Sequence, residues 1–401
     1  MRRMGFAAGA AALSVALSGC WFQVGNGAGR TFSNDETTIT AANVGGLDVL
    51  WDTDLAGNRA PVSVNGTIYT SNGTKVFALN AATGAVKWEA GPYVLHGDIG
   101  DVTVAFFSPL YNDGKLLVPA ATGVASFDSG AVYEFNPRTG ELLSNTSNGL
   151  GSTYDLAVAD GVVAKRKTDI GGSSGLGLTE IAWKFSPTII HSGSGDTFPT
   201  GHAIVGERIL WGQGPTAEGF SAACPPNPGF SGCAPDWTTP LGATTGGPAA
   251  IGDSQAVYAD GSGTVSVLDA ATGAIQWTGE TASPVVSRPV VHQGTILVGT
   301  FDNRVVAFPA AGCDAATCDP LWTVDLGDVP NRGLVAAGEV AYAATNNGSL
   351  IAFASAGCGA ATCPTLKTVD AHAEGGGLIV DAGRVLVPVT GGHLVAYGLP
   401  S

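Results

Sequence analysis

Charge is scarce in this chain: only 13% of its 401 residues are charged. No long stretch places apolar residues at the spacing an amphipathic helix needs, so a helical fold is excluded at the outset. The common chemistry-bearing motifs are missing too. There is no G-x-S-x-G, no H-E-x-x-H and no glycine-rich phosphate loop with a lysine, which removes the signatures of a hydrolase nucleophile, a zinc protease and a P-loop. No C-x-x-C-H haem motif is present. The six histidines, His96, His191, His202, His292, His372 and His393, are scattered along the chain and read as surface or core residues. Bases are few, 18 Lys and Arg against 33 Asp and Glu. That excess of acid repels nucleic acid and anionic lipid headgroups, so neither is an expected partner. What is abundant is glycine, 59 residues, with 22 prolines. This is the composition of an all-β chain of short strands and tight turns.

The organising stretch is Val265-Ser266-Val267-Leu268-Asp269-Ala270-Ala271-Thr272-Gly273-Ala274-Ile275-Gln276-Trp277. It reads as two strands, apolar on alternate residues, joined by a turn. Asp269 can accept a bond from a backbone N–H two residues on, and Gly273 supplies the positive φ that closes the hairpin. Val76 to Trp88 is nearly the same phrase, and Val132 to Leu143 is a looser copy. A hairpin repeated with a fixed turn marks a repeat protein.

Around this hairpin a pattern of four short strands recurs, beginning near Pro61, Pro109, Leu156, His202, residue 248, Pro289, Gly333 and Leu378. The third copy is degenerate and carries an insertion at residues 166–180. The eighth stops at Val395-Ala396-Tyr397, one strand short. Its complement lies at the other end of the chain, because Val49-Leu50-Trp51-Asp52-Thr53-Asp54-Leu55 matches Pro320-Leu321-Trp322-Thr323-Val324-Asp325-Leu326. Lending that strand to the last sheet closes a ring without an exposed edge. The sequence therefore predicts an eight-bladed β-propeller of four-stranded antiparallel blades over residues 48–401, closed by an N-terminal strand.

Ahead of the ring, Arg2-Arg3 and the apolar run Phe6 to Leu17 read as a signal peptide over residues 1–19. Leu17-Ser18-Gly19-Cys20 resembles the lipobox of bacterial lipoproteins, which implies cleavage before Cys20 and an acyl anchor on its thiol. Residues 1–19 carry two arginines and no acid, so cleavage would take the net charge from −15 to −17. Residues 20–47 read as a lipidated polar tether and lead-in. The other six cysteines fall into local pairs, Cys224 with Cys233, Cys313 with Cys318 and Cys358 with Cys363. An even number in an oxidising compartment predicts three disulfides. The C-x4-C spacing, with no histidine nearby, does not suit zinc.

The phrase A-L-[ND]-A-x-T-G-x-x-x-W resembles the pyrroloquinoline quinone (PQQ) repeat, and the resemblance covers nearly the whole chain after residue 20. Residues 38–47 followed by Trp51 are similar to the segment that enters such propellers. The resemblance implies a propeller but not a cofactor. One branch of the family is the quinoprotein dehydrogenases, whose quinone sits between an indole and a disulfide of adjacent cysteines, beside Ca2+ held by carboxylates. The other is the non-catalytic propeller lipoproteins such as the BamB-like scaffolds. This chain has no Cys-Cys step. It therefore reads as a monomeric, lipid-anchored extracytoplasmic binding or scaffold module with envelope protein partners, without catalysis, metal or cofactor. The alternative is a PQQ-dependent oxidoreductase.

Blade topology places the predicted disulfides 313/318 and 358/363 on one face of the ring. On the other lie most of the longer insertions, Gly91–Val102, Ala120–Ala131, Arg166–Thr179 and His191–Thr200. Inner strands begin on that second face, beside the axis. Aligning the copies puts Arg59, Asp155, His202, Arg288 and Arg332 at the channel mouth, where guanidinium groups suit an anionic ligand or an acidic peptide.

Overall fold

The structure, a computed structural model, describes residues 20–97, 100–122, 129–150, 153–159, 162–168, 173–180, 188–194, 202–221, 235–243, 246–375 and 377–400. The fold is an all-β propeller of antiparallel sheets, with no α-helix among the described residues and one 3₁₀ turn at Val44–Gly46. The strands pair into eight sheets. Their innermost strands are, in order, Val62–Val64, Leu110–Asn112, Thr153–Ala159, His202–Val205, Ala249–Ile251, Val290–His292, Gly333–Ala337 and Ile379–Asp381. We number the sheets 1 to 8 in that order. Sheet 2 is widened by the hairpin Val94–Gly97 and Gly100–Phe106, which pairs with the far half of Lys115–Thr122.

Ring closure follows the sequence pattern. The strand Asp48–Asp54 pairs antiparallel with His393–Gly398, so the last sheet takes its outermost strand from the beginning of the chain. At the axis the Ser63 hydroxyl donates to Asp381 Oδ2 at 2.6 Å and joins the inner strands of sheets 1 and 8.

The repeat phrase folds as its residues require. Asp269 Oδ1 accepts bonds from the backbone N–H of Ala271 and Thr272 and from the Thr272 hydroxyl. Those bonds hold its carboxyl below the usual range. Gly273 has φ +72°. Its glycine serves a second purpose that the hairpin alone does not reveal. The tryptophan near the start of each fourth strand lies on the turn glycine of the next sheet. Added Cβ atoms on Gly84, Gly140, Gly312 and Gly357 would come within 2.6, 2.6, 2.9 and 2.5 Å of the indoles of Trp51, Trp88, Trp277 and Trp322. Three such indoles also donate to a carbonyl of the turn: Trp51 to Ala81, Trp88 to Pro137 and Trp237 to Ala270. The W and the G of the repeat are thus the two halves of one contact between neighbouring sheets.

The disulfides Cys313–Cys318 and Cys358–Cys363 are formed. Each cross-linked turn also lends two residues to its neighbour. Thr317–Cys318 pairs parallel with Ile275–Glu280, and Thr362–Cys363 with Trp322–Asp325, which covers the outer edges of sheets 5 and 6. The predicted pair Cys224–Cys233 lies outside the described residues.

Residues 21–47 do not hang from the ring as a spacer. Trp21 is fully buried, as is Arg30, and the segment that contains them is built into the axis.

Candidate functional site

An inner strand has one edge facing the axis, and its backbone groups there need partners. Residues 21–34 supply them around the whole ring, always at the next-to-last residue of the strand. Trp21 exchanges two backbone bonds with Ser63 in sheet 1, at 2.7 and 2.9 Å. Tyr111 N–H donates to the Phe22 carbonyl in sheet 2. In sheet 3 the Gln23 amide both accepts from Val158 N–H and donates to its carbonyl. Ile204, Ala250, Val291 and Ala336 then donate to the carbonyls of Ala28, Gly29, Thr31 and Phe32 in sheets 4 to 7. Asn34 Nδ2 closes the circuit on the Val380 carbonyl of sheet 8, at 2.6 Å. This hub is folded on itself as well. Phe32 N–H donates to the Gly25 carbonyl, and the buried Arg30 guanidinium donates to the carbonyls of Val24 and Leu156, both at 2.8 Å.

The hub sits at the end of the channel where first strands turn into second strands, here called the turn face. A ligand reaches the axis from the opposite, mouth face. There Arg288 lies over the ring of Phe32, 5.8 Å from its centroid, so a hub aromatic and a mouth cation meet. Arg332, ahead of the neighbouring inner strand, donates from Nη1 to the Ala373 carbonyl at 2.5 Å. Arg59 is exposed, its guanidinium 5.6 Å from the centroid of Phe107. His202 is buried as the first residue of its inner strand. Asp155 sits on its inner strand opposite Arg166, and its side chain lies outside the described residues. All five residues occur near the starts of inner strands. Each of the three arginines makes its described contact with a ring or a backbone carbonyl rather than with another of the five. The insertion His191–Thr200 lies mostly outside the described residues.

Sequence reasoning missed the hub residues Gln23, Arg30 and Phe32 and a buried polar group beside them. Glu36 and Asp381 are both buried. Burial pushes the Asp381 carboxyl up, opposed by the Ser63 hydroxyl and the Arg384 charge, while the Glu36 charge adds to the rise. Burial likewise raises the Tyr342 hydroxyl, with the charge of Glu36 adding to it. The available signal was Trp21, Phe22 and Phe32: three aromatics are out of place in a solvated tether. Among the described residues no group of three or more His, Cys, Asp or Glu is placed to hold a metal ion.

Comparison with known proteins sets this geometry in a family. One curated relative is the dehydrogenase subunit of the quinone-dependent alcohol dehydrogenase of Gluconobacter oxydans (strain 621H). It is 40% identical over 82 residues, which make up 18% of this chain and 11% of that subunit. The fold is similar to that of the quinohemoprotein alcohol dehydrogenase from Comamonas testosteroni, at TM-score 0.67 and 14% identity over 96% of this chain and 81% of that one. It is also similar to BamB from Moraxella catarrhalis, at TM-score 0.57 and 17% identity over 88% and 97%. The dehydrogenase relatives overturn the expectation of a chain that is no enzyme. That expectation took the missing Cys-Cys step as excluding chemistry. The step belongs to one version of a site, whereas the repeat and the ring are shared with dehydrogenases. The family model described as outer membrane protein assembly factor BamB matches residues 35–143 and 207–359, more than half of the chain, and the chain belongs to this family of PQQ-type propellers.

Proposed function

We propose that the chain is an extracytoplasmic quinoprotein-type oxidoreductase whose cofactor enters from the mouth face, and that Cys20 carries an acyl anchor. The observation that carries the first part is Arg288 stacked over Phe32 above a hub that blocks the opposite end of the channel. A cation beside an aromatic ring suits a planar anionic ligand. The 40% match to a quinone-dependent dehydrogenase subunit supports the redox reading. Disulfides at Cys313–Cys318 and Cys358–Cys363 support an oxidising compartment.

The residues present fit the anionic, aromatic part of PQQ. Phe32 supplies a ring, Arg288 and Arg332 supply positive charge, and the quinone when bound would supply two-electron oxidation. The described residues offer neither an adjacent-cysteine disulfide nor a carboxylate cluster for Ca2+, so the ring of Phe32 takes the stacking role in this reading.

The test is to add PQQ, with and without Ca2+, to the purified chain and to follow quinone absorbance and dye reduction with a panel of primary alcohols. Quinone binding with dye reduction is expected. The double variant Arg288→Glu/Arg332→Glu should weaken quinone binding roughly a hundredfold, the size of two charge-assisted contacts. No change in quinone absorbance and no dye reduction would overturn the reading.

A further inference from the structure

Cys20 lies on the turn face. Trp21 pairs antiparallel with Ser63, and Val62–Val64 runs from the mouth face to the turn face, so the chain before Trp21 leads out beside the Asn65–Gly66 turn. Trp21 is itself fully buried. No spacer separates Cys20 from the hub, and one residue reaches at most about 3.6 Å. The sequence just before it holds the apolar run Phe6 to Leu17. Hydrocarbon attached here, as an acyl chain on Cys20 or as that run itself, departs from the axis of the turn face.

A second observation comes from the rim. Six of the nine exposed large apolar side chains among the described residues lie on this same face: Val49, Leu50, Val86, Leu143, Ile275 and Leu321, between 38% and 50% exposed. They stand at the starts of outermost strands in sheets 8, 1, 2, 5 and 6. Five of them come one or two residues before a tryptophan that docks on the next sheet. The tryptophan finds a partner there, and the residue ahead of it projects past the edge. An anchor at the hub and an aliphatic crown at the rim therefore share one plane.

The geometry points to the turn face as the surface held against a phospholipid bilayer, with the crown at the headgroup boundary and the mouth facing away. The inference rests on the anchoring reading above. Exposed Asp48, Asp253, Asp314 and Glu339 on this face favour neutral headgroups over anionic ones.

The test couples a dialkyl maleimide to Cys20, the free cysteine among the described residues, in a chain of residues 20–401. The coupled chain is bound to phosphatidylcholine vesicles and footprinted with hydroxyl radicals. Oxidation at Val86, Leu143, Ile275 and Leu321 should fall several-fold relative to the vesicle-free chain. Phe301, 64% exposed on the mouth face, should be unaffected. Unchanged oxidation of the crown, or a fall at Phe301, would overturn the proposed face. The variant Val86→Glu/Ile275→Glu, coupled to a single acyl chain, should partition onto vesicles about tenfold more weakly, and unchanged partition would remove the crown from the interface. The mass of the chain from its native envelope tests anchoring separately. A native chain with neither an acyl group nor residues 1–19 overturns the anchoring reading, while the footprint alone decides the face.

Discussion

Gly84 and Gly66 have the same backbone conformation, φ +71° and +72°, and different surroundings. A Cβ on Gly66 would meet nothing within 4 Å, whereas one on Gly84 would lie 2.6 Å from the Trp51 indole and 2.5 Å from Thr53 Oγ1. Alanine at either site carries the left-handed penalty of about 1–2 kcal/mol. Only at Gly84 must an indole also move, and overpacking of that kind costs a further 1–3 kcal/mol or so. Gly84→Ala should therefore lower unfolding free energy by clearly more than Gly66→Ala in chemical denaturation. Equal losses would mean that the turn glycine is needed for φ alone and that the tryptophan contact contributes nothing. This pair also explains the repeat phrase: its glycine and tryptophan are fixed eleven residues or fewer apart in sequence because they act on adjacent sheets, not within one hairpin.

At the scale of the element, the hub satisfies the axial edge of all eight sheets with a segment that makes few side-chain contacts to each. Removing residues 20–34 should leave the second and third strands of each sheet paired while freeing the inner-strand amides of Ser63, Tyr111, Ile204, Ala250, Val291 and Ala336. Hydrogen exchange should then accelerate at those six positions by at least about a hundredfold, with the amides of Val340–Ala344 and Ser349–Ala354 still protected. Protection retained at the six would show that the inner edges are held without the hub. Uniform loss of protection would make the hub a requirement for the whole fold. The hub was the least legible element of the sequence for a physical reason. Its bonds are backbone carbonyls and two amide side chains, one per strand, so they impose no period and no composition. The hairpins, the closing strand and the cross-linked turns were legible because each repeats a side-chain pattern that the pleat and the turn demand: alternation at Val265 to Val267, an acceptor at Asp269, a cysteine pair replacing a glycine turn at 313 and 318. At the mouth, alignment of the copies gave the positions of Arg288 and Arg332. It could not give Phe32, which arrives from outside the repeats.

For the whole molecule, the decisive joint is the last sheet, where the two ends of the chain meet. His393 Nδ1 lies 2.7 Å from Asp52 Oδ1, and its Nε2 lies 4.0 Å from Asp54, so an imidazole on the final strand faces two carboxylates on the closing strand. The hydrogen bond to Asp52 raises the His393 pKa above its ordinary value, with the charges of Asp52 and Asp54 acting in the same direction. The folded chain thus binds the proton more tightly than the unfolded one, and this contribution to ring closure is fully present below the unfolded pKa near 6.5. It fades as pH rises through the higher folded value. The pair is solvent-exposed, so the effect is small and screened by salt. His372, near Asp370 at 3.6 Å, titrates in the same sheet and acts in the same sense, so the comparison must be between the chain and a His393→Gln variant rather than across pH alone. The chain should melt above the variant at about pH 5.5, and the gap should close by about pH 8.5, beyond the range in which histidine titrates. High salt at the lower pH should close it as well. A gap that widens with rising pH would mean that His393 meets the closing strand as a neutral ring, and that the joint depends on the backbone ladder from Asp48 to Asp54 and the Trp51 contact alone.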